Sequence, residues 1–143
     1  MSNLKHMYAD MPRTPFVSGM GGSGAYTVEL DIAPENLVQN AVWKFLRCPA
    51  DTVIKRIVLI TDELDGGSDL TLTVRTAADG ESPVNHLVAS TIGRTGGAAA
   101  AGTALPLLGN VADYDVEVIV PAAADTAQAG KAKLHIEFDR TRT

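Results

Sequence analysis

The stretch from Thr61 to Gly80, TDELDGGSDLTLTVRTAADG, gathers Asp62, Glu63, Asp65, Asp69 and Asp79 around a Gly-Gly pair. Carboxylates at this density beside glycine could cradle calcium. The helix-flanked calcium loop needs oxygen ligands at positions one, three, five and twelve, with Gly at six. With Asp65-Gly66 as positions five and six, Glu63 takes three and Asp69 takes nine. Thr61 then stands at one and Leu72 at twelve, where a bidentate carboxylate is required. The flanks suit a different element. VLIT runs in, DLTLTV runs out, and Asp-Gly is a favoured pair for a tight turn. The expectation is a β-hairpin with its acids at a solvated tip. A calcium site built on loop carbonyls stays open as the alternative.

Other chemistry has less to stand on. His6, His86 and His135 show no metal-ligand spacing, and read as surface or interface residues. The single cysteine, Cys48, allows no intrachain disulfide and reads as a small, half-buried apolar residue beside Pro49. No GxSxG elbow is present for a nucleophilic serine. The glycines of SGMGGSG lack the strand–turn–helix setting of a dinucleotide loop. The expectation is a protein that is not an enzyme and carries no cofactor and no metal.

The elements that would position any site are strands. In AYTVELDI, Tyr26, Val28, Leu30 and Ile32 share one face, and Thr27, Glu29 and Asp31 the other. The same period of two runs through DLTLTVR, YDVEVIV and KAKLHIEFD, where Lys131, Lys133, His135, Glu137 and Asp139 face away from Ala132, Leu134, Ile136 and Phe138. AVWKFLRC is less regular, with Trp43 and Phe45 opposed to Val42 and Leu46. TVIKRIVLIT is apolar on both faces from Ile57 to Ile60, as a central strand would be. NHLVAS is a shorter strand. GGAAAAGTALPLLGN reads as a long loop with at most one helical turn, because Gly96, Gly97, Gly102 and Pro106 cut the alanine run. These elements give an all-β domain, an antiparallel sandwich or barrel of about seven strands.

The first two dozen residues are different. MSNLKHMYADMPRTPFVSGMGGSG has two prolines, a Gly/Ser joint and no sustained period, yet it is rich in apolar side chains. A disordered leader and an arm that orders against a partner are both open. On the second reading, residues 1–24 are the arm and residues 25–143 the sandwich. The contact residues are then Met7, Tyr8, Met11, Pro12, Pro15, Phe16 and Val17.

The bulk properties narrow the partners. In 143 residues, 45% are hydrophobic and 20% charged, which suits one folded domain. The net charge of −5 and the scattered basic residues argue against nucleic acid as a partner. No run is long and apolar enough for a membrane helix, and no signal-peptide pattern opens the chain, so synthesis in the cytoplasm is expected.

The segments DTVIKRIVLITDELDGGSDLTLTV, ADG, HLVAST and ALPLLGNVADYDVEVIVPAAADTAQAGKAKLHIEFD together resemble small structural proteins of tailed bacteriophages. In that family an "IxxVxxxVTxAFDGG" hairpin precedes a "DxxxLVAxxD" segment and a "TAGKAxVxVEY" ending. TAQAGKAK, Thr126 to Lys133, is the most distinctive piece. The similarity covers roughly residues 51–139, and the arm has no counterpart in it. The resemblance implies a β-sandwich (jelly-roll-like or Ig-like, seven to eight strands) acting as a capsid decoration or cement protein on the exterior of the virion. Its implied partners are the major capsid protein and copies of itself, as a homotrimer, with no nucleic acid and no membrane. The alternative is a tail- or head-fibre-associated sandwich that binds host glycan.

Overall fold

The computed structural model describes residues 22–50, 52–101 and 112–140. β1 (Gly22–Ile32), β8 (Gly130–Arg140), β3 (Thr52–Thr61) and β6 (Gly97–Ala100) form one antiparallel sheet, in the order β1-β8-β3-β6. β2 (Val42–Cys48), β7 (Tyr114–Ala122), β4 (Thr71–Ala78) and β5 (Val84–Ser90) form the other, in the order β2-β7-β4-β5. The described strands alternate between the two sheets except at β4 and β5, which follow each other in one. The expected all-β sandwich is the observed fold. Gly22, Ser23 and Gly24, expected in the arm, already pair with Arg140, Asp139 and Phe138 as the start of β1.

Period-two alternation places the core. Val28, Leu30 and Ile32 from β1 meet Ala132, Leu134, Ile136 and Phe138 from β8, with Val116, Val118 and Val120 of β7 facing them from the second sheet. Burying the Val, Leu, Ile and Phe side chains among them stabilises by about 1.5–3 kcal/mol each. The large aromatics also satisfy their polar ends: Trp43 Nε1 donates to the Asn36 carbonyl at 2.9 Å, and the Tyr114 hydroxyl donates to the Thr52 carbonyl at 2.7 Å.

The irregular pattern in AVWKFLRC has a physical cause. A register shift between Lys44 and Leu46 against β7 lets Phe45 and Leu46 both turn inward, so Trp43, Phe45, Leu46 and Cys48 are all buried. β3 lies between β8 and β6, as its two-sided apolar run requires. Its outer face shows half-buried Val58 and Ile60. Part of the expected alanine-rich loop is an eighth strand: Gly97 to Ala100 pair with Thr61 to Val58. Alanine's helical preference yields here because the small side chains complete the edge of the sheet. The rest of that stretch, 102–110, lies outside the described residues.

The hairpin expected at Asp65-Gly66 is not formed. β3 and β4 belong to different sheets, so residues 62–70 cross from one sheet to the other. Neither Asp65 nor Gly66 adopts a positive φ; among the described residues that conformation occurs at Asn40, Ala89, Gly80, Gly96 and Gly97. The connection that does stay within one sheet is β4 to β5, and its turn is Asp79-Gly80, with Gly80 at φ +77°. The Asp-Gly grammar was legible in the sequence, but it belongs to the second Asp-Gly pair.

Candidate functional site

Asp65 is the first residue to place, since it carried the calcium reading. It is fully buried, not a solvated tip. Oδ1 accepts from the backbone N–H groups of Gly67 (2.7 Å) and Thr126 (2.8 Å). Oδ2 accepts from Asp69 (3.1 Å), Leu70 (2.9 Å) and Asp125 (3.2 Å). Although burial alone would raise its pKa, these donors hold the carboxyl well below the usual carboxylate range. The positive ends of five peptide groups therefore occupy the space a cation would. Asp62, Glu63 and Asp69 are exposed, and the Asp62 carboxylate accepts from the Lys131 N–H at 2.9 Å. Among the described residues, no group of three or more His, Cys, Asp or Glu side chains could hold a metal ion. The stretch is a clasp joining the β3–β4 and β7–β8 connections.

The clasp is reinforced from a third segment. Leu64 N–H and Asp65 N–H both donate to the Gly93 carbonyl, at 2.7 and 3.1 Å, and Gln128 N–H donates to the Leu64 carbonyl at 2.9 Å. Gly93 is buried, and a Cβ there would stand 2.7 Å from Leu70 Cδ2, too close to coexist with it.

The histidines and the cysteine lie apart. His135, on β8, shares a hydrogen bond of 2.9 Å with Thr27 Oγ1 on the outer face. His86, on β5, is buried, and its Nε2 bonds Thr76 Oγ1 at 2.9 Å while Nδ1 has no partner. Burial lowers its pKa. His6 lies outside the described residues. Cys48 is buried completely rather than half, and burial pushes its thiol up to about 12, far from the range of a nucleophilic thiolate.

What the fold does assemble is a pair of charged outer faces. On the β2-β7-β4 side, the register puts Glu117 between Lys44 and Arg75, and Asp115 beside Arg47. Lys44 Nζ reaches Glu117 at 3.3 Å and Asp115 at 3.2 Å; Arg75 grips the other Glu117 oxygen at 2.8 Å; Arg47 pairs with Asp115 at 3.0 Å and with Asp79. Glu117 is 2% exposed, roofed by its two cations. Burial opposes the charge on Lys44, but Glu117 and Asp115 prevail and raise its pKa. On the other sheet, Lys131 pairs with Asp31 at 2.8 Å and with Glu29 at 3.5 Å, and Lys133 with Glu29 at 3.6 Å. Lys55 and Asp139, 3.3 Å apart, help line an open groove of about 400 Å³ with Gly24, Ala25, Glu137 and Phe138. Alternation exposed these charges in the sequence; the cross-strand partners needed the register.

The expected contact residues Met7, Tyr8, Met11, Pro12, Pro15, Phe16 and Val17 all lie outside the described residues. The structure adds a feature that sequence reading passed over. Val38, Val84 and Val88 are the large apolar side chains left exposed among the described residues, and two of them stand on the edge strand β5. At Ala89 the backbone turns to φ +51°, one of several irregularities along β5, and Val88 is 65% exposed beside it. No helix among the described residues is long and apolar enough to cross a membrane.

No family model matches this chain, and no curated protein matches it by sequence. Solved structures do. A chain of the capsid asymmetric unit of cyanophage Pam1 superposes with a TM-score of 0.70 at 18% identity, over 93% of this chain and 96% of that one. A chain of the capsid of Ralstonia phage GP4 superposes with a TM-score of 0.62 at 22% identity, over 94% and 93% respectively. At these identities the likeness is one of fold, and it extends over nearly the full length of both chains.

Proposed function

We propose that this chain is a structural protein of a bacteriophage virion, a decoration (cement) protein that binds the major capsid protein on the head exterior and stabilises the shell. The observation that carries the reading is the near full-length likeness to chains from two phage capsids, Pam1 and GP4. The site chemistry agrees with it. The most acidic stretch is spent on closing one end of the sandwich, and the charged outer faces are paired internally. Such a body presents adherent surfaces rather than a reaction centre, and repetition over a lattice turns weak single contacts into firm attachment. Residues ahead of β1 serve as an arm, with Met7, Tyr8, Met11, Pro12, Pro15, Phe16 and Val17 as its contact residues, and three copies associate around a lattice position. Neither nucleic acid nor membrane is a partner in this reading, and no catalysis is assigned.

The test is reconstitution. Purified chain is mixed with heads assembled without it, and the heads are recovered by sedimentation. Saturable binding at a fixed ratio to the major capsid protein, with heads that withstand higher temperature, is the expected result. Heads that bind none of it overturn the proposal; heat on mixing with host surface glycan instead would favour a fibre-associated module.

A further inference from the structure

β5 is loosely anchored. It is outermost in its sheet, paired with β4 alone among the described strands, and the pairing is broken twice. Arg75 pairs with Asn85 and Val74 with Leu87, which leaves His86 as the extra, bulged residue between them. A second slip separates that pair from Leu72 and Ser90. Val84 and Val88 are already exposed, and Leu87 is half-buried against the core, so little apolar burial holds the strand down.

His86 is the exception on this strand. Its ring is buried on the inner face, where Nε2 meets the hydroxyl of Thr76, itself opposite the core residue Val116. Nδ1 has no partner among the described residues. A neutral ring leaves one nitrogen unpaired there. An imidazolium carries N–H donors on both nitrogens, so its Nδ1–H would be charged, buried and without an acceptor. The surrounding elements supply no counter-charge. On β4 and β7, Arg75, Asp115 and Glu117 stand on the outer face in their own ion pairs, and the inner Tyr114 hydroxyl is spent on the Thr52 carbonyl. In the turn before β5, Asp79 is paired with Arg47 and Glu81 is exposed. After it, Arg94 donates to the Leu70 carbonyl. Across the core, Ile54, Ile57 and Leu59 of β3 and Ala99 of β6 carry nothing titratable.

We infer that β5 is an acid-released strand: proton uptake by His86 frees it from β4 while the rest of the sandwich holds. A bulged residue on an outermost strand reaches water by breaking one irregular ladder, with both sheets otherwise intact. Release leaves the outer edge of β4, Thr71–Ala78, with unpaired backbone groups open to another strand. Burial lowers the pKa of His86 in the closed strand, which sets the sign. The closed strand is favoured above the ordinary value near 6.5. Below it, the uptake of one proton raises the released population by up to about tenfold per pH unit.

Native-state hydrogen exchange on the full chain tests this between pH 7 and 5, with rates corrected for the intrinsic pH dependence of exchange. The amides of β5 are expected to exchange through an opening easier than that of β3, β7 and β8 and insensitive to mild denaturant. The population of that opening should rise by up to about tenfold per unit below pH 6.5. His86→Gln, which cannot titrate, should abolish the rise, and His135→Gln should keep it. β5 amides that exchange only together with the core strands overturn the inference. So does an opening indifferent to pH, or a rise that survives in His86→Gln. The unaltered chain alone decides the first two outcomes, whether or not His86→Gln folds well.

Discussion

Asp65 shows how residue type and residue role separate. A carboxylate beside Gly-Gly looks like a ligand, but five backbone donors converge on it, two of them from Asp125 and Thr126 about sixty residues away. No local pattern announces that convergence. Asp65→Asn should cost about 3 kcal/mol at pH 7, because an amide nitrogen then faces buried donors that lose their acceptor. Asp65 has a folded pKa held below its unfolded value near 4. Its contribution is therefore present above about pH 4 and lost as pH falls toward the folded value. Denaturant melts at pH 7 and pH 3 should show the gap between wild type and Asp65→Asn shrinking at the lower pH. His86 works in another window. Burial lowers its pKa, so stability is fully present above the unfolded value near 6.5 and falls as pH drops below it. A single extra proton in the unfolded state limits the slope to about 1.4 kcal/mol per pH unit. Denaturant midpoints measured between pH 7 and 5 should decline less in His86→Gln than in wild type.

At the scale of elements, strands were legible wherever apolar and polar residues alternate: Val28 to Ile32, Leu70 to Val74, Tyr114 to Val120 and Ala132 to Phe138. They were hidden where tertiary context decides. β2 buries two successive residues through its register shift, and β6 is made of alanine and glycine that a neighbour strand recruits. Connections were less legible still. Among the described strands only β4 and β5 are consecutive neighbours in one sheet, and the loop at 62–70, which crosses between sheets, is held there by the Asp65 donors and by the Gly93 carbonyl. That packing gives a local prediction. Gly93→Ala should destabilise by about 1–3 kcal/mol, since its methyl would compete with the Leu70 side chain at a fully packed site. The double variant Gly93→Ala/Leu70→Val should recover part of the loss in a thermal melt. Full additivity of the two costs would contradict the contact.

For the whole molecule, the sequence carried the class and the structure supplied the architecture. Alternating strands pointed to a sandwich, and the two stacked four-stranded sheets are that sandwich. The exposure of Val84 and Val88 was not legible, because which strand lies outermost is a property of the sheet order and not of any segment. Cryo-electron microscopy of the intact particle tests the proposed place on a phage head. The expected map shows an eight-stranded sandwich outside the shell at every equivalent lattice position, seated on the major capsid protein. A head map with all its protein density assigned and no such sandwich on its exterior would contradict it.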